Sequence, residues 1–357
     1  MKRLIVVISV SLALLLVIPA LAQDDGETLV LVTYDSFAMS EEVQERFEEE
    51  TGITLEILRL TDAGAMLNQA ILSRNNPLGD VLYGVDNTFL SRAFNNDLFI
   101  PYQSPMLEFV LEELRLDDGE YRVTPVTYGD VCLNYDVAYF AENDLPLPEG
   151  LVDLTDPIYK GLLVVENPAS SSPGLAFLLA TIAEFGDGSD DSEDEYTYLD
   201  YWAELVENDL LVLDGWSEAY FGAFTAASED GEYPLVVSYA SSPPAEIIFA
   251  EEELEAAPTG AIVADGTCFR QLEYVGILNG TEKVEAAQQL IDFMLGLDFQ
   301  EDLPLQMFVF PVHEDAELPE AFVEYAAIPE NPATLDYDAI DANREDWIQD
   351  WTETVLH

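Results

Sequence analysis

The side chains that could do acid–base or metal chemistry in this chain are almost all carboxylates. The sequence has 71 aspartates and glutamates but only two histidines, His313 and His357. Histidine is the usual general base near neutral pH, so histidine-based catalysis has very little material to work with. The sequence also lacks a glycine-rich phosphate loop, a Cys/His metal cluster and a serine-hydrolase elbow. We therefore expect no histidine-based catalysis and no bound cofactor.

A run of serines forms a polar motif that could bind a ligand. Residues 170–172 are all serine and precede Pro173 and an apolar stretch, 175–185, that predicts a helix. Proline suits the first turn of a helix, and serine hydroxyls cap the free N–H groups there. The same N–H groups and hydroxyls can bind a hydroxyl or phosphate oxygen. Helix capping and ligand binding both remain open for Ser171 and Ser172.

The overall charge excludes two classes of partner. Against 71 acidic residues stand only 12 lysines and arginines, which gives a formal net charge of −59 at pH 7. Such a surface repels nucleic acids and anionic lipids, so we expect binding to neither. The charge suits a protein kept soluble in salt-rich surroundings, where screening shortens the range of self-repulsion. A charge spread over the whole surface does not by itself indicate a cationic ligand.

The N-terminal residues 1–22 have the pattern of a secretory signal peptide. Lys2 and Arg3 precede an apolar run, 4–18, and residues 20–22 place small side chains at a cleavage site. The alternative is a membrane anchor, but the run is shorter than the roughly 20 residues that a spanning helix needs. No cysteine follows the run for a lipid anchor, and no later segment could span a membrane. We expect cleavage and a periplasmic or extracellular protein.

The first part of the mature chain alternates strand and helix patterns. Residues 29–32 form a continuous apolar run typical of a buried strand, and Ser40 begins a helical pattern that Gly52 ends. A second strand pattern follows at 53–57, a helix at 66–71 and a third strand at 80–85. The order β-α-β-α-β implies a mostly parallel sheet, with ligands in the loops at the carboxyl ends of its strands.

The middle of the chain predicts a second α/β lobe. A strand pattern at 161–165 precedes the helix at 175–185, and two more strand patterns follow at 210–213 and 235–239. Two extended segments are the candidates for strands that cross between the lobes, and the C-terminal helices, predicted at 284–295 and 344–351, return to the first lobe. The expected bounds are 28–125 with 271–357 for the first lobe, 128–266 for the second lobe, and 124–135 with 267–278 for the crossing strands.

Short motifs follow one another along nearly all of the mature chain. They are TYDSF (33–37), LTD (60–62), MLN (66–68), GVDN (84–87), NPASSSPG (167–174), DGWSEAY (214–220), VSYASSP (237–243) and FPV (310–312). In this order they resemble the thiamine-binding proteins of ABC importers, within the class of periplasmic binding proteins with two crossing strands. The GWSEAY and SYxxSP elements are the most specific.

The resemblance implies both a fold and a function. The fold is the α/β, type II periplasmic binding protein fold, in which two lobes, each a mostly parallel sheet flanked by helices, are joined by two crossing strands. The function is to bind thiamine, or one of its phosphates, between the lobes and to deliver it to the permease of an ABC importer in the membrane. The resemblance implies a monomeric binding protein that is not an enzyme.

Thiamine presents a flat aminopyrimidine, a cationic thiazolium ring and a hydroxyethyl arm that can carry phosphate. Aromatic faces suit flat and cationic rings, at about 0.5 to 2 kcal/mol each when desolvated. The resemblance assigns ring stacking to Tyr34, Trp216 and Phe308. It assigns to Asp62 the role of accepting hydrogen bonds from the amino group and offsetting the positive charge, and to Ala63 only backbone contacts.

The resemblance places the remaining ligand contacts in two loops. They are Ser171 and Ser172 for the polar arm, and Tyr239, Ala240, Ser241 and Ser242 for a fourth side of the pocket. No arginine or lysine is close to the two serines in sequence, which leaves phosphate recognition open. Some relatives have another aromatic residue after the last of these motifs, where this chain has Pro243 and Pro244. Either the aromatic sandwich is thinner here or another ring takes that place.

The two cysteines lie in the predicted crossing strands. Cys132 is in the first and Cys268 begins the second, so the implied fold places them side by side at the hinge. An exported protein meets conditions that permit disulfides. We expect a bridge, with two buried free thiols as the alternative.

Three other functions stay open on residue types alone. The same architecture could bind ferric iron, which requires paired tyrosines, and Tyr239 with so few histidines argues against that. It could bind a polyamine, which uses aromatic residues and several acids. A rival of another class is an exported hydrolase that uses two carboxylates, although nothing in so acidic a sequence marks out one pair.

Overall fold

The computed structural model describes residues 27–115, 119–189, 196–250 and 254–357. The predicted signal peptide, residues 1–22, lies outside this part of the chain. No helix of the described ranges is both long and apolar enough to cross a bilayer. The strands are β1 (Thr28–Thr33), β2 (Thr54–Arg59), β3 (Val81–Asp86), β4 (Phe99–Ile100), β5 (Thr124–Asp136), β6 (Leu163–Glu166), β7 (Leu211–Leu213), β8 (Leu235–Tyr239), β9 (Thr259–Ile262), β10 (Phe269–Leu278) and β11 (Phe310–Pro311).

The helices are interspersed with these strands along the chain. They are α1 (Glu41–Thr51), α2 (Ala63–Ser73), α3 (Leu90–Asn95), α4 (Val137–Glu142), α5 (Ser172–Phe185), α6 (Tyr198–Glu207), α7 (Trp216–Glu218), α8 (Pro243–Ile248), α9 (Val284–Met294), α10 (Leu297–Gln306), α11 (Glu320–Tyr325) and α12 (Tyr337–Val355).

The first lobe has the predicted β-α-β-α-β order. Strand β1 lies between β2 and β3 and is parallel to both. Helix α1 begins after Ser40, whose hydroxyl accepts a hydrogen bond from the Val43 N–H at 3.3 Å, and ends at Gly52 with φ 72°. A left-handed glycine is a common helix end because it has no Cβ to clash. The capping residues of this helix were therefore predicted correctly.

The second lobe contains a three-stranded parallel sheet and a buried helix. Strand β6 pairs in parallel with β7 on one side and β8 on the other. Helix α5 is buried over almost its whole length, from Ser172 to Ile182, which explains its apolar sequence. It begins at Ser172, three residues before the predicted start, because Pro173 occupies the first turn.

The two crossing strands carry the sheet from one lobe to the other. Strands β5 and β10 pair antiparallel from Phe269↔Val131 to Val275↔Thr124. At its first-lobe end β10 pairs with β3, and at its second-lobe end β5 pairs with β8. One sheet in the order β2-β1-β3-β10-β5-β8-β6-β7 results. Where β5 and β10 meet, Cys132 and Cys268 form a disulfide with an S–S distance of 2.07 Å.

The last helix, α12, extends beyond the first lobe, to which it is expected to return. Helix α12 has 19 residues, so it is about 28 Å long and reaches both lobes. Its Arg344 guanidinium donates to the Thr88 carbonyl of the first lobe at 3.0 Å. Further along, Trp351 packs edge-on against Trp202 of α6, with ring centroids 5.4 Å apart. The sequence pattern predicted only residues 344–351 of this helix and gave no sign of its partners in the two lobes.

Candidate functional site

A cavity of about 420 Å³ lies between the two lobes, beside the crossing strand β10. Aromatic rings make up much of its wall, and its charged lining residues are carboxylates. Among the described residues the aromatic lining is Tyr34, Trp216, Tyr220, Phe221, Tyr239, Phe249 and Phe308, and the acidic lining is Asp62, Glu246 and Glu273.

Most of the predicted contact residues line this cavity. Eight do so: Tyr34, Asp62, Ala63, Ser172, Trp216, Tyr239, Ser242 and Phe308. Three others, Ser171, Ala240 and Ser241, are fully buried behind the lining. Ala240 instead packs beside the disulfide of Cys132 and Cys268. The structure thus brings the predicted set to one place, and ligand contact by each residue stays a prediction.

Asp62 joins the two lobes at one corner of the cavity. It precedes α2, and its Oδ1 accepts from the Ala63 N–H at 2.7 Å and the Ser172 N–H at 3.3 Å. Its Oδ2 accepts from the Trp216 N–H at 3.0 Å and the Ser171 hydroxyl at 3.2 Å. Three of these four donors belong to the second lobe. A first-lobe carboxylate therefore occupies the N–H and hydroxyl donors at the start of α5.

Burial acts against the charge of this carboxylate. Desolvation raises the pKa of Asp62 to about 6, and the backbone donors from Trp216, Ser172 and Ala63 oppose that rise. Glu166, at the end of β6, is fully buried nearby, and burial followed by the charge of Asp62 raises its pKa well above the usual range. Neither oxygen of Glu166 has a hydrogen-bond partner among the described residues, so that carboxyl is more stable protonated.

Trp216 is held by contacts on several sides. Its ring stacks on Tyr220 with centroids 5.0 Å apart and an interplanar angle of 22°. Its indole N–H donates to the Ser238 hydroxyl at 2.9 Å. The chain then makes one π-helical turn, Ala219–Ala223, an irregularity that is common at functional sites. Phe221, in that turn, also lines the cavity and packs edge-on against Trp216.

Tyr34 reaches the cavity because β3 has a glycine beneath its ring. Gly84 has φ 103°, and a Cβ there would lie only 2.3 Å from the Tyr34 ring. Any larger residue would therefore displace Tyr34. The phenol of Tyr34 donates to Glu273 at 3.1 Å.

Tyr239 lies against crossing strand β5. A Cβ at Gly129 of β5 would approach its ring to 2.9 Å, so glycine again permits the contact. The Tyr239 hydroxyl donates to the side-chain Oε1 of Gln271 at 3.2 Å. The Gln271 amide donates to the Ser172 hydroxyl at 3.2 Å and to Asp86 at 3.4 Å. Gln271 thus links β3 of the first lobe to α5 and β8 of the second.

Glu273 is an acidic residue of β10 that sequence reasoning missed. Its Oε2 accepts from Tyr83 at 2.8 Å, Thr127 at 2.8 Å and Tyr34 at 3.1 Å. Burial raises the pKa of Glu273, and the three hydroxyl donors oppose that rise. The second missed acid is Glu246, which accepts from the hydroxyls of Tyr220 and Thr259. With 71 acidic residues in the chain, no sequence signal distinguishes these two.

Two phenylalanines complete the aromatic wall. Phe308 has φ 53°, a left-handed conformation that is unusual for a large side chain and often marks a functional site. Its ring packs edge-on against Phe249, with centroids 5.4 Å apart. The sequence offers Pro243 and Pro244 where some relatives have an aromatic residue. Those prolines begin α8, and Phe249 directly after that helix supplies a ring to the cavity wall.

The sequence profile of the bacterial extracellular solute-binding proteins matches residues 76–343. The match covers well over half of the chain. The chain belongs to this family. A solute-binding protein is expected to bind small molecules between its lobes, where the described cavity lies.

Similarity to relatives covers almost all of this solute-binding protein. It is 29% identical to the thiamine-binding periplasmic protein of Salmonella typhimurium over 350 residues, which is 96% of this chain and 97% of that protein. The corresponding Escherichia coli protein is 28% identical over 336 residues, covering 92% of this chain and 93% of the relative. The resemblance predicted from the motifs is confirmed.

Solved structures of binding proteins confirm the two-lobed fold. A periplasmic thiamin binding protein superposes with a TM-score of 0.78 at 26% identity, covering 92% of this chain and 96% of that one. Iron-bound HitA of Pseudomonas aeruginosa superposes with a TM-score of 0.71 at 19% identity, covering 91% and 99%. At that identity the likeness to HitA shows the fold alone.

Proposed function

We propose that this protein binds thiamine between its lobes and delivers it to an ABC importer. The observation that carries the proposal is the interlobe cavity with aromatic walls and carboxylates as its charged lining groups. Flat aromatic faces suit both rings of thiamine, and carboxylates suit its positive charge. The relatives named as thiamine-binding proteins support the same ligand.

Transport, and not catalysis, is the role that we infer. Thiamine binding to one lobe shifts the population toward the closed form, since only that form contacts the ligand from both sides. We propose that the closed protein, as a monomer, docks on a membrane permease. We also propose that residues 1–22 direct it to the periplasm and are removed there. The family and its periplasmic members support these steps.

The structure gives little support to ferric iron as the ligand. Within the described residues, no group of three or more His, Cys, Asp and Glu side chains could hold a metal ion. Tyr34 and Tyr239 both line the cavity, but their hydroxyls donate to Glu273 and Gln271. Iron coordination would break both of these hydrogen bonds. Ferric ion therefore serves as the control ligand.

The decisive experiment is isothermal titration calorimetry of the purified protein with thiamine, spermidine and ferric ion. We expect one thiamine to bind per chain and the other two solutes to give no saturable heat. Quenching of tryptophan fluorescence should accompany thiamine binding, since Trp216 lines the cavity. If spermidine or ferric ion bound and thiamine did not, the proposed ligand would be wrong.

Export has its own test. Mass spectrometry of the protein recovered from the periplasm should give the mass of a chain that begins at residue 23. Recovery of the full-length chain with the membrane fraction would contradict cleavage.

A further inference from the structure

Glu273 differs from the other two cavity acids in how its oxygens are used. All three of its hydrogen-bond donors, the hydroxyls of Tyr34, Tyr83 and Thr127, bind Oε2. Its Oε1 accepts no hydrogen bond from any residue that the structure describes. Because Glu273 lines the cavity, Oε1 is the oxygen left for a bound molecule.

The other two cavity acids have both oxygens engaged by the protein. Asp62 accepts two hydrogen bonds on each oxygen, from donors that include the Trp216 N–H and the Ser171 hydroxyl. Glu246 accepts from Tyr220 on one oxygen and from Thr259 on the other. A ligand would have to displace or share these donors. Among the described cavity acids, Glu273 therefore offers the carboxylate oxygen that is not already used.

The surroundings of Glu273 favour the ionised form once a cation is near. Three hydroxyl donors to one oxygen stabilise a carboxylate much more than a neutral acid. Burial opposes the charge, and a nearby cation would relieve that cost. No lysine, arginine or histidine is among the described lining residues. A cationic ligand would therefore supply the balancing positive charge.

We propose that Glu273 makes the cavity specific for a positively charged ligand, with Oε1 facing the cationic ring. This inference rests on the proposed function, in which the ligand is thiamine with its thiazolium ring. Glu273 is on crossing strand β10, and its three donors come from β3, β5 and the residue after β1. The Glu273 carboxylate is thus held in place by the first lobe and the crossing strands, independently of closure by the second lobe.

Calorimetry with two ligands tests the proposal. One is thiamine, and the other is its neutral isostere, in which a thiophene replaces the thiazolium ring. The wild type should bind thiamine at least tenfold more tightly than the isostere, as expected for one contact between opposite charges in a partly desolvated site. Glu273→Gln keeps a carbonyl oxygen for the three hydroxyls but removes the charge. It should weaken thiamine binding by about 10- to 100-fold and change isostere binding less than about threefold.

Glu49→Gln is the matched control, because it makes the same change on an exposed residue of α1 and should bind like the wild type. Thermal unfolding checks that Glu273→Gln is folded, and the wild-type comparison of the two ligands needs no variant. Equal wild-type affinities for thiamine and the isostere would overturn the proposal, as would Glu273→Gln weakening both ligands alike. If the wild type binds thiamine and Glu273→Gln binds it as tightly, the role of Glu273 fails and the proposed function stands. No binding of thiamine by the wild type would overturn both.

Discussion

Two corners of the same cavity use carboxylates in opposite ways. In the Asp62 corner, formed by Asp62, Ser171, Ser172 and Trp216, a first-lobe acid is bound mainly by donors of the second lobe. The Glu273 corner is formed by Glu273, Tyr34, Tyr83 and Thr127. It differs because all donors to Glu273 lie in the first lobe or on a crossing strand. The Asp62 corner can form only when the lobes meet, whereas the Glu273 corner is independent of closure. Asp62 thus joins the two lobes, whereas Oε1 of Glu273 accepts no hydrogen bond from the described residues.

The Asp62 corner should be the more sensitive of the two. Asp62→Ala removes four hydrogen bonds and leaves buried donors of the second lobe unpaired. We expect thiamine affinity to fall about 100-fold or more, because closure becomes less favourable. Small-angle X-ray scattering should show a larger radius of gyration at the same thiamine concentration. Asp35→Ala removes an exposed neighbouring acid and is the control. A variant that keeps wild-type affinity would show that closure does not depend on this corner.

Substitutions of Trp216 can remove the aromatic ring of the Asp62 corner and keep the backbone hydrogen bond to Asp62. The Trp216 N–H binds Asp62, so side-chain substitutions leave that hydrogen bond in place. Trp216→Ala should weaken thiamine binding by about 30-fold through loss of an aromatic face. Trp216→Phe keeps a ring and loses only the indole N–H bond to Ser238, so a loss of about threefold is expected. Calorimetry on both variants measures the difference. Equal losses would show that the hydrogen bond matters more than the stacked ring.

Much of the fold could be predicted because each element carries its own pattern. Ser40 and Gly52 mark the ends of α1, and the apolar run of β1 predicts a buried strand. The reach of α12 could not be predicted, since Trp351 gives no sign in sequence that its partner is Trp202. Long-range packing of this kind depends on the relative position of two elements, which local pattern does not contain.

The site was predictable where motifs marked it and not where composition hid it. Trp216 and Asp62 lie in distinctive motifs, and both line the cavity. Glu246 and Glu273 are two among 71 acidic residues, and only the structure shows that they face the same space. Ser171 is predicted to contact the ligand, and in the structure its hydroxyl donates to Asp62, a contact that the motif did not indicate. Sequence patterns give residue types at strand ends but not which oxygen a donor binds.

The Asp62 corner also predicts a preference among thiamine forms. The N–H and hydroxyl donors at the start of α5, which would suit a phosphate, already bind the Asp62 carboxylate. The other charged groups of the described lining are also acids. Thiamine diphosphate should therefore bind about tenfold more weakly than thiamine, through like-charge repulsion. Competition calorimetry measures the ratio of the dissociation constants of thiamine diphosphate and thiamine. Asp62→Asn should bring this ratio closer to one. Tighter binding of the diphosphate would mean that Asp62 moves away from α5 when the ligand binds.

The smallest expected effect concerns Asp86, which contacts the Gln271 that links the lobes. Burial raises the pKa of Asp86 from 3.8 to about 7, against the opposing hydrogen bonds from Thr88. Between these two pH values the folded protein binds more protons at this site than the unfolded chain, so this contribution to stability falls as pH rises. The stabilising contribution of Asp86 to the unfolding free energy is fully present below pH 4 and is lost above pH 7. Asp86→Asn cannot ionise and still accepts from Thr88.

Asp86→Asn should therefore flatten the pH dependence of the unfolding free energy between pH 4 and 7. At pH 8 it should be more stable than the wild type by about 1 to 2 kcal/mol, which is less than the full pKa shift because the Gln271 contact is weakened. Urea unfolding at several pH values gives both curves. Parallel curves would show that Asp86 stays ionised in the folded protein. The charge of Glu273 would then have a second buried anion close by, and the preference for a cationic ligand would be shared between them.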